Sequence, residues 1–159
     1  MSRETVLASQ GPFDRAYSLL AEYIDICPEN IWAEKNGGWL VWQQIAHTVM
    51  AMDFFVCGEN EQFLPAPCDV DTAMLKVQGG AVIGKSAMKT YSAEVKAKVD
   101  VWFQQLTDAD LPLPNVVLTK KIGRALSYIA VVVMLAAHTN YHLGSCDAAL
   151  RNHDLPGVF

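Results

Sequence analysis

Charge is scarce in this chain. Only 18% of its 159 residues are Asp, Glu, Lys or Arg, while 52% are hydrophobic, and the charged share is below the usual quarter. Such a balance predicts apolar surface that meets another subunit or a ligand. The net charge also has the wrong sign for polyanions, at −5 with the histidines neutral. A net acidic surface repels phosphate backbones and anionic lipid, which argues against a nucleic-acid or membrane-surface role.

Long hydrophobic runs are missing as well. The most apolar stretch, Ala125 to Ala137, covers thirteen residues, and roughly 18 or more are needed to cross a bilayer. The opening MSRETVLASQ holds no apolar segment of the kind a secretion signal needs. These absences predict a soluble, cytoplasmic protein. Cysteine is sparse: Cys27, Cys57, Cys68 and Cys146 lie far apart, without the close pairs of a zinc finger or a redox motif. An even count permits two disulfides, but reduced thiols suit a chain with this much core and no export signal. No segment alternates polar and apolar residues over any length, and no repeat, linker or low-complexity tract interrupts the chain. The expectation is a single all-α domain over residues 1–159.

What is present is helical periodicity in four segments. The first runs from Pro12 to Cys27, where Phe13, Ala16, Leu20, Tyr23 and Cys27 share a face between two prolines. The second runs from Trp39 to Cys57. One row there is Trp42, Ala46, Val49, Asp53 and Val56; the row beside it is His47, Met50 and Phe54. Residues 58–84 carry Pro65, Pro67, Gly79, Gly80 and Gly84, a long connection with room for one helical turn after Asp71. The third helix, Lys85 to Leu106, sets Met88, Tyr91, Val95, Val99, Trp102 and Leu106 in a buried stripe. After TDADLPLPN the fourth helix is expected from Lys121 to Asn152. Four such helices fit a four-helix bundle, and the long connection would let the second and third run parallel.

The chain has four histidines, His47, His138, His142 and His153. His138 and His142 stand at i and i+4, so their side chains share one helix face with about 5–6 Å between Cβ atoms. Two imidazole nitrogens at that spacing can converge on one ion roughly 2.0–2.1 Å from each. The pair alone is a weak motif. His47 strengthens it, because it lies among Ile45, Ala46, Val49 and Met50 in a second apolar helix, where an imidazole needs a ligand or a hydrogen bond. An ordinary core histidine bonded to a backbone carbonyl is the plainer alternative. His153, between Asn152 and Asp154 near the chain end, is expected in solvent.

Carboxylates are missing where other metal bundles need them. The positions three residues before each histidine are Gln44, Leu135, Thr139 and Leu150, so the Glu-x-x-His pairs of di-iron bundles are excluded. His-Glu-x-x-His is excluded too, since Thr139, Asn140 and Tyr141 separate the pair. Cys146, one further turn along, is either an additional thiolate ligand or a buried structural thiol. Asp53 is a candidate to orient an imidazole. Trp39 and Trp42 suit packing better than substrate stacking. Tyr141 and Asn140 are expected to point away from the histidine row. Lys120, Lys121 and Arg124 are the nearest sources of counter-charge for an anionic substrate.

GGWLVWQQIAHTVMAMDFF, followed far along by AAHTNYHLGSCDAALR, resembles the DinB/YfiT-like superfamily of bacterial metal-binding four-helix bundles. That pattern has one histidine in the second helix and a His-x-x-x-His pair in the last, then Gly and a terminal Leu-Arg. The matching positions here are His47, His138, His142, Gly144, Leu150 and Arg151, and LTDADLPLPN is similar to the family's acidic loop before the last helix. The resemblance implies an up-down-down-up bundle with the long connection between helices 2 and 3, and in many cases a homodimer. It implies a divalent ion, zinc or nickel, held by the three histidines. It also implies thiol-dependent S-transferase or isomerase chemistry with a small cellular thiol.

Three neutral imidazoles leave such an ion its full charge and at least one exchangeable position. The functional expectation is therefore metal-assisted transfer of a small thiol to a small electrophile. A dimeric binding or stress-response module whose ion only ties helices together is the non-catalytic alternative. A metal-free helical dimer is the plainest one.

Overall fold

The computed structural model describes residues 1–159. It is predominantly helical, as the periodicity predicts. Four long helices supply the frame: α1 (Glu4–Ile26), α3 (Val41–Val56), α5 (Lys85–Gln105) and α7 (Tyr128–Arg151). Three short ones decorate the connections: α2 (Glu29–Trp32), α4 (Val70–Ala73) and α6 (Val116–Ile122). No helix is long and apolar enough to cross a membrane.

Each long helix packs against two others, α1 and α3 both touching α5 and α7. Their facing stripes form one contiguous cluster of 33 buried residues. On α1 the predicted row of Phe13, Ala16, Leu20, Tyr23 and Cys27 is buried throughout. On α5 Met88, Tyr91, Val95 and Val99 are buried as expected, and so is Leu106 just past its end. Phe103, rather than Trp102, completes the stripe there; Trp102 lies at its edge, against Phe103 and Tyr128.

Three expected boundaries are corrected. Helix α1 begins at Glu4, not Pro12, which lies inside it. The proline has no N–H for the turn before it, but Ala8, whose carbonyl loses that donor, is exposed to water. The start is held from outside. Asp108 Oδ1 accepts from the Val6 N–H at 3.0 Å, and Arg3 donates to the Leu106 and Phe103 carbonyls at the end of α5, both at 2.9 Å. One helix end thus caps the other, satisfying backbone groups that neither could satisfy alone.

Trp39 and Leu40 do not open α3. They form strand β2 (Trp39–Leu40), paired antiparallel with β1 (Lys35–Asn36) in a small hairpin that sets Asn36 against Trp39 and Lys35 against Leu40. Gly37 and Gly38, with φ of 61° and 94°, supply the two positive-φ positions that such a tight turn requires. The long fourth helix is two helices. Gly123, at φ 79°, ends α6 in the left-handed conformation, and α7 starts only after Ser127. The Pro114–Ser127 bridge holds the two ends of that detour together.

Candidate metal centre

His47 sits halfway along α3, and His138 and His142 sit one turn apart on α7. The structure brings the three rings together. Ring centroids are 5.1 Å apart for His47 and His138, 4.6 Å for His47 and His142, and 4.6 Å for His138 and His142. One nitrogen from each ring lies within 4.8 Å of the other two, and this set is the three-histidine cluster able to hold an ion.

His47 Nδ1 lies 2.8 Å from the carbonyl oxygen of Ala73, the last residue of α4. A carbonyl can only accept, so Nδ1 carries the proton and Nε2 is left as a lone pair. That lone pair faces His138 Nε2 at 3.3 Å. Of the three rings, only His47 has such a carbonyl partner. Three histidines each satisfied separately by the backbone are therefore not what the chain builds.

Burial sets the protonation state. It lowers the pKa of His47, against a smaller upward pull from the Ala73 carbonyl. His138 is pushed down to about 4 and His142 to about 3, first by burial and then by the neighbouring imidazoles, which disfavour a further positive charge. At neutral pH all three rings are neutral donors.

These residues fit a divalent ion. The donor set is uncharged, converges from two helices, and has its one fixed tautomer turned so that the free nitrogen faces the other rings. A spacing of 3.3 Å between two donor nitrogens suits one ion bonded at roughly 2.0–2.1 Å to each. His47 and His138 are partly exposed, whereas His142 is buried, so the cluster is reachable from one side.

The other sequence candidates fall elsewhere. Cys146 is not part of the cluster. Its side chain is fully buried between α1 and the start of α3, with Sγ 4.0 Å from the Val41 carbonyl, and burial drives its thiol well above the ordinary range. All four cysteines are free thiols. Asp53 does not orient an imidazole. It accepts from Lys98 Nζ at 2.6 Å and from the Leu64 N–H at 2.6 Å, joining α3 to α5 and to the long connection. Trp42 is buried core, and Trp39 belongs to the hairpin. His153 is exposed and pairs with Glu34 at 2.6 Å. Asn140 is exposed.

Tyr141 is also exposed, yet its ring stands edge-on to His142 with centroids 5.0 Å apart, closer to the row than its helical position suggests. Phe55 makes a similar edge contact with His138 at 5.5 Å. Lys120 pairs with Glu59 at 3.6 Å, and Arg124 lies exposed at the break before α7. Lys121 lies over the rings of Phe54 and Phe63 at 5.5 and 5.4 Å and donates to the Cys57 carbonyl.

Two neighbours are not legible in the sequence: Ala73, whose backbone oxygen accepts from His47 Nδ1, and Gln43, which donates to the Thr72 and Val77 carbonyls on either side of it. The only hint is position, since Gln43 precedes His47 by four residues. Comparison of the chain with protein-family models, with curated proteins and with solved structures finds no match.

Proposed function

We propose that this chain is a divalent-metal-dependent protein of the DinB/YfiT-like type that transfers a small thiol to a small electrophile at His47, His138 and His142. The carrying observation is the convergence of three neutral imidazoles from two helices, with one free nitrogen of each ring within 4.8 Å of the others. Several pairwise contacts support an up-down-down-up four-helix bundle around them. Asp14 meets Lys96, and Phe13 meets Phe103, as in antiparallel α1 and α5. The Tyr23 hydroxyl reaches the Cys146 carbonyl, as in parallel α1 and α7. Asp53 meets Lys98 and Val41 meets Cys146, as in parallel α3 and α5 and antiparallel α3 and α7.

A zinc or nickel ion held there would supply a 2+ charge that favours the deprotonated form of an incoming thiol, whose free pKa is about 8.5. The protein's own part is positional and electrostatic. Its imidazoles add no charge to offset the ion's, and the Ala73 carbonyl fixes one of the rings. Phe55 and Tyr141 set aromatic rings against His138 and His142. No lysine or arginine contacts the rings, which favours a neutral or weakly charged electrophile. The cavity of about 370 Å³ between α3, α5 and the start of α7 is lined in part by Phe55, Lys98, Trp102, Asn115 and Tyr128 but by none of the three histidines, so the electrophile is assigned to the open side of the rings themselves.

A homodimer in the cytoplasm completes the proposal. The exposed row of α7 from Val133 through Ala137, Tyr141 and Gly144 to Ala148 carries no charged residue before Arg151 at its end, and a second copy would cover it. The test combines elemental analysis of purified protein with a screen of small thiols against small electrophiles. One ion per chain and thiol consumption are expected. Turnover should be lost in His47→Ala, His138→Ala and His142→Ala while helical content persists. A bound ion without any turnover would replace the enzyme with a metal-stabilised binding or stress-response module. Unchanged turnover in all three variants would overturn the proposal.

A further inference from the structure

Gln43 and Gln44 are neighbours on α3, both buried, and each grips a different segment of backbone. Gln44 Nε2 donates to the Asn36 and Trp39 carbonyls of the hairpin, at 2.7 and 3.2 Å. Gln43 Nε2 donates to the Thr72 carbonyl at 2.9 Å and the Val77 carbonyl at 2.7 Å, while its Oε1 accepts from the Gly79 N–H at 2.9 Å. Both donor hydrogens and the acceptor of the Gln43 carboxamide are therefore used on residues 72–79. That segment belongs to a connection with no sheet to anchor it. Among its other restraints is Asp69, which caps α4 by accepting from the Thr72 N–H and hydroxyl at 2.9 and 2.7 Å.

The gripped carbonyl of Thr72 immediately precedes the Ala73 carbonyl that receives the proton of His47 Nδ1. One helical turn apart on α3, Gln43 and His47 thus hold consecutive peptide oxygens of α4. Gly79 packs close as well: a Cβ there would overlap the Trp42 ring, so only glycine lets the backbone come this near α3.

We propose that Gln43 is a positioning residue for the metal ligand His47, acting through residues 72–79 to keep the Ala73 carbonyl where it fixes the His47 tautomer and aims Nε2 at the cluster. The inference rests on the metal-centre reading above. A group that orients a ligand by hydrogen bonding is worth about 10–100-fold in metal affinity when removed.

The experiment titrates cobalt(II) into the metal-free parent, Gln43→Met, Asp69→Ala and Gln44→Met proteins. It also records the ¹⁵N resonances of the His47 ring and the melting temperature of each metal-free protein. Gln43→Met should bind cobalt about 10–100-fold more weakly than the parent, with His47 Nδ1 no longer purely the protonated nitrogen. Asp69→Ala, which loosens α4 from its exposed end and leaves the core intact, should shift both readouts in the same direction by less. Gln44→Met breaks a comparable buried grip on the hairpin, so it should lower the melting temperature without weakening cobalt binding. Parent-like affinity in both Gln43→Met and Asp69→Ala would overturn the proposal, and so would equal weakening by Gln44→Met. Failure of the parent itself to bind cobalt would remove the metal centre and this inference together, a result distinct from any difference among variants.

Discussion

Asp53 shows how a side chain can carry the right chemistry in the wrong place. It lies on the α3 row beside the one that carries His47, and its carboxylate is fully buried, but its oxygens are taken by Lys98 and the Leu64 amide. Removing one partner of a buried ion pair leaves the other charge uncompensated, typically at 3–5 kcal/mol. Lys98 keeps some solvent access and has Glu61 at 3.6 Å as a second partner. Asp53→Ala should therefore sit at the low end, about 3 kcal/mol by urea unfolding, with metal stoichiometry unchanged. A loss of metal at unchanged stability would mean that the carboxylate serves the histidines after all. The three clustered histidines were legible because histidine is rare here and two of the four stand at i, i+4 in an apolar helix. The role of Ala73 was not, because a backbone oxygen leaves no mark in sequence. Nor was Gln43, whose partners lie some thirty residues away in a segment without periodicity.

At the scale of elements, the buried stripes were readable and the helix ends were not. Stripes follow from local spacing, whereas ends depend on who caps them. Sequence gives no reason to extend α1 back to Glu4, because the cap is Asp108, a residue remote in the chain. Hydrogen bonds from the Ser2 hydroxyl and then from the Val6 amide, outweighing some burial, hold the Asp108 carboxyl below the usual carboxylate range. With a folded-state pKa below the unfolded one, this contribution is complete above the unfolded value, near 3.9. It is lost as pH falls through the lower folded value. The first turn of α1 should therefore fray at acid pH. The Val6 amide resonance should follow a single titration below the ordinary Asp range, and in Asp108→Asn that titration should be absent. The break before α7 did have a signal, Gly123 followed by Ser127, but the apolar run across it reads equally well as continuous helix. Gly123→Ala would force a Cβ into the left-handed region and should cost about 1 kcal/mol by chemical denaturation, without moving the histidines.

At the scale of the whole molecule, the arrangement sets metal against thiol chemistry as the source of cross-linking. The long helices are tied by burial, and α3 meets α7 at three neutral imidazoles, while the four cysteines remain unpaired. An ion that binds the folded chain and not the unfolded one adds RT ln(1 + [L]/Kd), about 2.7 kcal/mol when the free ion is 100 times Kd. Adding zinc or nickel to chelated protein should therefore raise the melting temperature in a concentration-dependent way, and a chelator should reverse the gain. Reductant should do nothing, because no disulfide contributes. The discriminating samples are the histidine variants. If the three rings hold one ion, His47→Ala on α3 and His142→Ala on α7 should each abolish most of the metal-dependent increment, though they sit on different helices. Each increment is read against the variant's own metal-free melting temperature, because His47→Ala also removes the bond to the Ala73 carbonyl and His142→Ala empties a buried site. A metal increment that survives both substitutions would place the ion elsewhere, and a melting temperature lowered by reductant would contradict the free thiols. The joint outcome therefore tests the fold and the site at once: only a structure in which α3 and α7 run past each other at these rings makes both helices equally necessary to the same ion.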